Sequence, residues 1–200
     1  GVPFLKDSAD AAVLTDRASI RVGGEIEHGG LRLGAARIEL SADSVPAFDL
    51  PFDRGAGLYP GGELLGWEIT GRIPLLRGPL ALEGWYVRWT GASPWIYLPE
   101  ENWRAALVYS HSPLPSGNLE ILARLESRHR SAMTVAAPGG ATAEVPAFTS
   151  FDAYLQIRVL SVRAFVRWDN LRLSPGIQDF PERAFPRQRV FYGVKWEFWN

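Results

Sequence analysis

From Ser19 onward, apolar and polar positions alternate in one segment after another. A period of two is a strand signal, because successive side chains point to opposite faces. In SIRVGGEIE, Ile20, Val22 and Ile26 share one parity, and Arg21, Glu25 and Glu27 the other. LRLGAARIEL is less regular: Leu31 and Leu33 agree, but Ile38 and Leu40 take the opposite parity, which predicts a bulge near Ala35–Ala36. ELLGWEITGRI sets Leu65, Trp67, Ile69 and Ile73 against Glu68, Thr70 and Arg72, and LEGWYVRW sets Trp85, Val87 and Trp89 against Gly84, Tyr86 and Arg88. WRAALVYS is apolar on both faces apart from Arg104. In LEILARLESR, Ile121, Ala123 and Leu125 oppose Glu120, Arg124, Glu126 and Arg128. SFDAYLQIRV opposes Phe151, Leu155 and Ile157 to Asp152, Gln156 and Arg158, and SVRAFVRWDN opposes Val162, Val166 and Trp168 to Arg163, Phe165 and Arg167. The chain ends on FYGVKWEFWN, where Val190, Tyr192, Val194, Trp196 and Phe198 alternate with Phe191, Gly193, Lys195, Glu197 and Trp199. That makes about nine strands, many near the roughly 9–11 residues that cross a tilted path through a bilayer. Residues 1–18, interrupted by Asp7, Asp10, Asp16 and Arg17, form an irregular N-terminal segment, and 19–200 the strand domain.

Such alternation fits two architectures. In a soluble sandwich the apolar parity is the core; in a membrane barrel it meets lipid and the charged parity lines a wet lumen. The connections discriminate. HGG, LLRGP, PLPSG and the bare Leu160–Ser161 are short, and they alternate strictly with long stretches from Ser41 to Gly62, Thr90 to Asn102, Ala132 to Thr149 and Leu171 to Gln188. Long irregular loops are uncommon in compact domains, whereas outer-membrane barrels combine short periplasmic turns with long extracellular loops. The expected fold is therefore all-β: an antiparallel up-and-down transmembrane β-barrel, or part of one, with about 9–10 strands. Its lumen would carry Arg88, Glu120, Arg124, Glu126, Arg128, Asp152, Arg158, Lys195 and Glu197. Trp89, Trp103, Trp168 and Tyr192 would form an aromatic girdle at one interface, with Phe198 at the other. Loop aromatics Trp95, Tyr97, Phe148, Phe180 and Phe185 are candidate ligand contacts.

Composition narrows the functions. A net charge of -1 and a pI near 6.4 argue against nucleic acid as a partner. No uncharged run reaches the roughly 18 residues of a transmembrane helix. With no cysteine, thiolate chemistry is absent, and His28, His111 and His129 lack metal-ligand spacing. His111 lies between Ser110 and Ser112, but sequence neighbours on a strand face opposite ways, so no Ser–His pair follows. No enzyme, metal or cofactor is expected. An odd strand count in a family that favours even numbers predicts further barrel strands or another chain beside the first or last strand.

Within the last segment, Gly193, Trp196 and Phe198 resemble the C-terminal assembly signal of bacterial outer-membrane barrels: a glycine and two aromatics at alternate positions. FDAYLQIRVLSVRAFVRWDNL and PGIQDFPERAFPRQRVFYGVKWEF resemble the closing hairpin and last strand of TonB-dependent receptors. The resemblance covers residues 149–200 and continues to residue 63 as pattern alone. It implies an outer-membrane location and uptake of a scarce nutrient. The partners it implies are outer-membrane lipid, the barrel-assembly machinery and a TonB-type energy-coupling protein. A secreted carbohydrate-binding sandwich and a structural barrel subunit without transport remain alternatives.

Overall fold

The computed structural model describes residues 16–46, 58–75, 78–90, 95–137, 141–173 and 187–196. Every element in them is a strand: β1 (Arg17–His28), β2 (Leu31–Pro46), β3 (Leu58–Leu75), β4 (Leu80–Thr90), β5 (Glu101–His111), β6 (Leu119–Arg130), β7 (Met133–Ala137), β8 (Ala141–Val145), β9 (Phe148–Val159), β10 (Val162–Asp169) and β11 (Arg189–Trp196). Nine of them form one antiparallel sheet in the order β1-β2-β3-β4-β5-β6-β9-β10-β11, and β7 pairs with β8 alone. Each strand of the large sheet thus lies beside its sequence neighbour, with the small hairpin inserted between β6 and β9. β1 and β11 are the two ends of the sheet, and among the described residues no pairing joins them.

The turns explain the meander. Gly29 and Gly30 both take positive φ (57° and 83°) between β1 and β2, the geometry of a two-residue hairpin whose twist matches its strands. Leu160 opens the β9–β10 turn at φ 54°, unusual for a branched residue, and its amide donates to Asn118 O at 2.8 Å. All four short connections fall at one end of the sheet and all four long ones at the other.

Directly opposed residues share a face, so the register sorts side chains. One face carries Ile26, Leu33, Ile73, Leu82, Leu107, Leu125, Leu155, Val166 and Val194. Much of this apolar surface is open: Trp67 is 54% exposed, Leu125 50% and Val194 70%. The other face carries most of the arginines and carboxylates, with small buried residues such as Ala36, Ala81 and Ala106 between them.

The β1–β2 and β2–β3 registers run without a bulge through Ala35–Ala36, contrary to the sequence expectation. The parity change has another cause. Towards the long-loop end the charged face turns apolar, and Ala36, Ile38 and Leu64 are buried there. Arg37 and Glu39 occupy the opposite face, paired to each other at 3.1 Å. The stretch from Ala132 to Thr149, expected as loop, contains the β7–β8 hairpin instead. Met133, Val135 and Val145 form its core, against which Tyr97 packs.

Candidate functional site

The charged face is the candidate site, and it is built strand by strand from the polar parity of each segment. Arg32 of β2 lies 3.4 Å from Glu25 and 3.1 Å from Glu27, both on β1, and Arg21 of β1 reaches Glu68 of β3 at 2.6 Å. Glu83 of β4 accepts from Arg72 of β3 on one side and from Arg124 of β6, at 2.9 Å, on the other. Arg124 also holds Glu126 at 2.8 Å. Arg128 of β6 donates through Nε to Asp152 Oδ2 on β9 at 3.0 Å, and Asn170 N donates to the other oxygen at 2.9 Å. Asp152 is thereby buried yet fully engaged. Asp169, also buried, accepts from Arg167 at 2.7 Å and Arg189 at 3.1 Å. At the short-turn end Arg158 grips Glu120 and donates to Gly117 O at 2.9 Å. Exposed ion pairs contribute only about 0–1 kcal/mol each.

Of the residues expected to line a lumen, Glu120, Arg124, Glu126, Arg128, Asp152, Arg158 and Lys195 fall on this one face. Glu197 lies outside the described residues. Arg88 is a correction: it pairs with Trp67 across β3 and with Glu101 across β5, so it stands on the apolar face, where Glu100 approaches at 3.4 Å. The facing of β4 is opposite to expectation. Glu83, near its middle, shares its parity with Trp85, Val87 and Trp89, and the network around Arg72 and Arg124 takes it. Arg88 sits near the strand end, beyond the apolar rows. Arg72, Glu83 and Arg104 are therefore site residues that sequence reading passed over; the central charge of Glu83 was the signal that could have found them.

The aromatic girdle is corrected in the same way. Trp89 belongs to the charged face, its ring lying over Gly66, where a Cβ would come within 2.5 Å of Trp89 Cε3. Trp103, Trp168 and Tyr192 do lie on the apolar face, joined by Trp67, Tyr86 and Phe151. Trp103 stacks on His129 with centroids 5.5 Å apart, and His129 Nδ1 is 2.7 Å from Thr149 Oγ1. Arg172 covers the Phe151 ring at 5.1 Å. Trp103 and Phe151 thus combine an apolar ring with a polar partner. Phe198 lies outside the described residues. Gly193 faces Phe165, whose Cε1 would be 2.8 Å from any Cβ there, and Trp196 pairs with Val162 on the apolar face.

At the long-loop end, Trp95 Nε1 donates to Gly62 O at 3.2 Å, Tyr97 N to Thr134 O at 2.8 Å and Tyr59 Oη to Ala141 O at 2.7 Å. These bonds tie the hairpin to β3 and to the β4–β5 connection. Arg130, buried, donates to Ser131 O and Pro146 O and fixes the hairpin base. Phe148 opposes Arg130 on the charged face. Phe180 and Phe185 lie outside the described residues. His111 falls on the apolar face opposite Ile121, and Ser110 on the other.

No family model matches this sequence, and no curated protein matches it. Solved structures do. The FrpB iron transporter of Neisseria meningitidis superposes with a TM-score of 0.61 at 14% identity, over 93% of this chain and 32% of that one. The ferric-catecholate import receptor Fiu of E. coli K12 gives 0.58 at 16%, over 97% and 29%. FpvA of P. aeruginosa, solved with heterologous pyoverdines, gives 0.58 at 14%, over 92% and 27%. The chain spans about a third of the length of these receptors. The likeness at such identities is one of fold: the nine-stranded meander is laid out like part of the barrel of a TonB-dependent outer-membrane receptor.

Proposed function

We propose that this chain forms part of a receptor-like barrel in the bacterial outer membrane and takes part in uptake of a scarce nutrient, energised by a TonB-type partner. The observation that carries the reading is the separation of chemistry between the faces. Open rows of Ile, Leu and Val ending in aromatic rings run across nine strands, while most of the ion pairs gather on the opposite face. A soluble protein rarely leaves a contiguous apolar surface of that extent uncovered. A bilayer covers it, and the charged face then lines an aqueous lumen. A sandwich would need a second full sheet, and among the described residues the second sheet has two strands. Uptake is supported by the named roles of the structural neighbours, an iron transporter and an import receptor. In this reading the long connections face outward, Lys195 joins the lumenal wall, and Gly193 and Trp196 serve recognition by the assembly machinery.

The test is fractionation of cells making the chain. It should stay with outer membranes through carbonate and urea washes, require detergent for release and change gel mobility on boiling. Recovery in the soluble fraction, with unchanged mobility, would refute the membrane reading. If the chain does reach the membrane, nutrient accumulation that persists in cells lacking the energy-coupling protein would refute the coupled-uptake part.

A further inference from the structure

The β10–β11 connection starts on a strained stretch of backbone. Asn170 and Leu173 both take positive φ (57° and 55°). A bulky residue such as leucine rarely adopts that conformation, and it persists where surrounding contacts impose it. Those contacts come largely from β9. Leu171 N donates to Phe151 O at 2.7 Å, Leu173 N to Asn170 O at 3.0 Å, and Arg172 lies over the Phe151 ring. Asn170, buried, donates through its backbone N to Asp152 Oδ1 at 2.9 Å. Asp152 depends in turn on β6. It stands directly opposite Glu126, and like charges in that relation repel. Arg128 lies against both carboxylates: its Nε is 3.0 Å from Asp152 Oδ2 and 3.6 Å from Glu126 Oε1. Its Nη2 donates to the same Oδ2. The guanidinium therefore takes one oxygen of Asp152 and leaves the other to the Asn170 amide.

We propose that Asp152 is a latch. It holds the first turn of the β10–β11 connection against β9, and its grip is set by the charge balance of Glu126 and Arg128 on the charged face. A hydrogen bond from a backbone amide to an ionised carboxylate is roughly twice as strong as a neutral one, so a single oxygen holds Asn170 in its left-handed conformation. Without the Arg128 charge, Asp152 faces Glu126 alone, in a buried position that salt screens little. The carboxylate then turns away and the amide loses its acceptor. A group that draws Arg128 off Asp152 opens the turn, and one that takes up the charge of Glu126 tightens it. The turn is thus the physical element through which the charged face is coupled to the long-loop end. The coupling rests on this geometry; that the charged face is a lumen wall rests on the function proposed above.

The experiment follows hydrogen exchange at the Asn170, Leu171 and Leu173 amides of the full chain folded in neutral detergent micelles, with the amides of β3 as reference. Arg128→Gln should speed exchange at these three amides about tenfold, the scale of one charge-assisted hydrogen bond, and leave β3 unchanged. Adding Glu126→Gln to Arg128→Gln removes the opposed carboxylate and should restore most of the protection, a rescue that a packing role for Arg128 does not allow. Arg128→Lys keeps a charge between the two carboxylates and should fall between the parent and Arg128→Gln. Arg37→Gln, which breaks an ion pair on the opposite face, should leave the three amides within about twofold of the parent. No change at these amides in Arg128→Gln, or no rescue by Glu126→Gln, would overturn the proposal. So would acceleration spread evenly over β3 and the turn, which marks general loosening of the sheet. If the chain fractionates as soluble, the same comparison is made in plain buffer, where rescue leaves the latch standing while the lumenal reading falls.

Discussion

The facing of β4 makes the most direct test, because parity in the sequence and register in the structure demand opposite results. In the structure Leu82 lies in the row Ile73–Leu82–Leu107–Leu125 on the apolar face, and Trp85 faces Arg104 and Thr70 on the charged one. Leu82→Arg puts a guanidinium among open apolar side chains, where the bilayer reading sets a cost that reaches about 2–4 kcal/mol at the midplane and falls towards the interfaces. Trp85→Arg places the same group in a wet ionic recess. It meets like charge from Arg104, worth about 0.2–1 kcal/mol in a directly opposed pair, and its long stem covers part of the wall the ring covered. Leu82→Arg should therefore be the worse variant by at least about 1 kcal/mol, roughly fivefold or more in the unfolding equilibrium. Urea titration of the chain folded into phospholipid vesicles, followed by intrinsic fluorescence, measures both. A larger loss for Trp85→Arg would mean that Trp85, Val87 and Trp89 meet lipid, and that β4 pairs with β3 and β5 in a register shifted by one residue.

Two other perturbations probe different parts of the sheet. Gly193→Val drives a methyl into the Phe165 ring and should destabilise the β10–β11 pair by about 1–3 kcal/mol; Phe165→Ala in the same chain should recover much of the loss, and no recovery would place the role of Gly193 outside packing. Val135→Asp puts a charge into the fully buried hairpin core, so protease added to intact cells should cut within 141–147 far faster than in the parent chain; equal rates would mean that the hairpin is not docked through Tyr59, Tyr97 and Arg130.

The residues by themselves determined that the chain is a meander of antiparallel strands. Period-two alternation is local, and so is the contrast between two-residue turns such as Gly29–Gly30 and the long connections that follow every second strand. The charged parity of β6, β9 and β11 was legible for the same reason. Each of those strands carries several charges of one parity, and opposite signs on neighbours find one another once the strands pair. Three features needed the tertiary structure. The facing of β4 was undecided locally, since both parities hold large rings and each holds one charge; Glu83 settles it by joining the arginines of β3 and β6, strands about eleven and forty residues away in the chain. Ile38 and Leu40 changed parity without a bulge because the charged face becomes apolar near the long loops, a change of environment that pattern counting cannot register. The β7–β8 hairpin was invisible because its small residues form a strand pair only when Val135 and Val145 have Tyr97 to pack against.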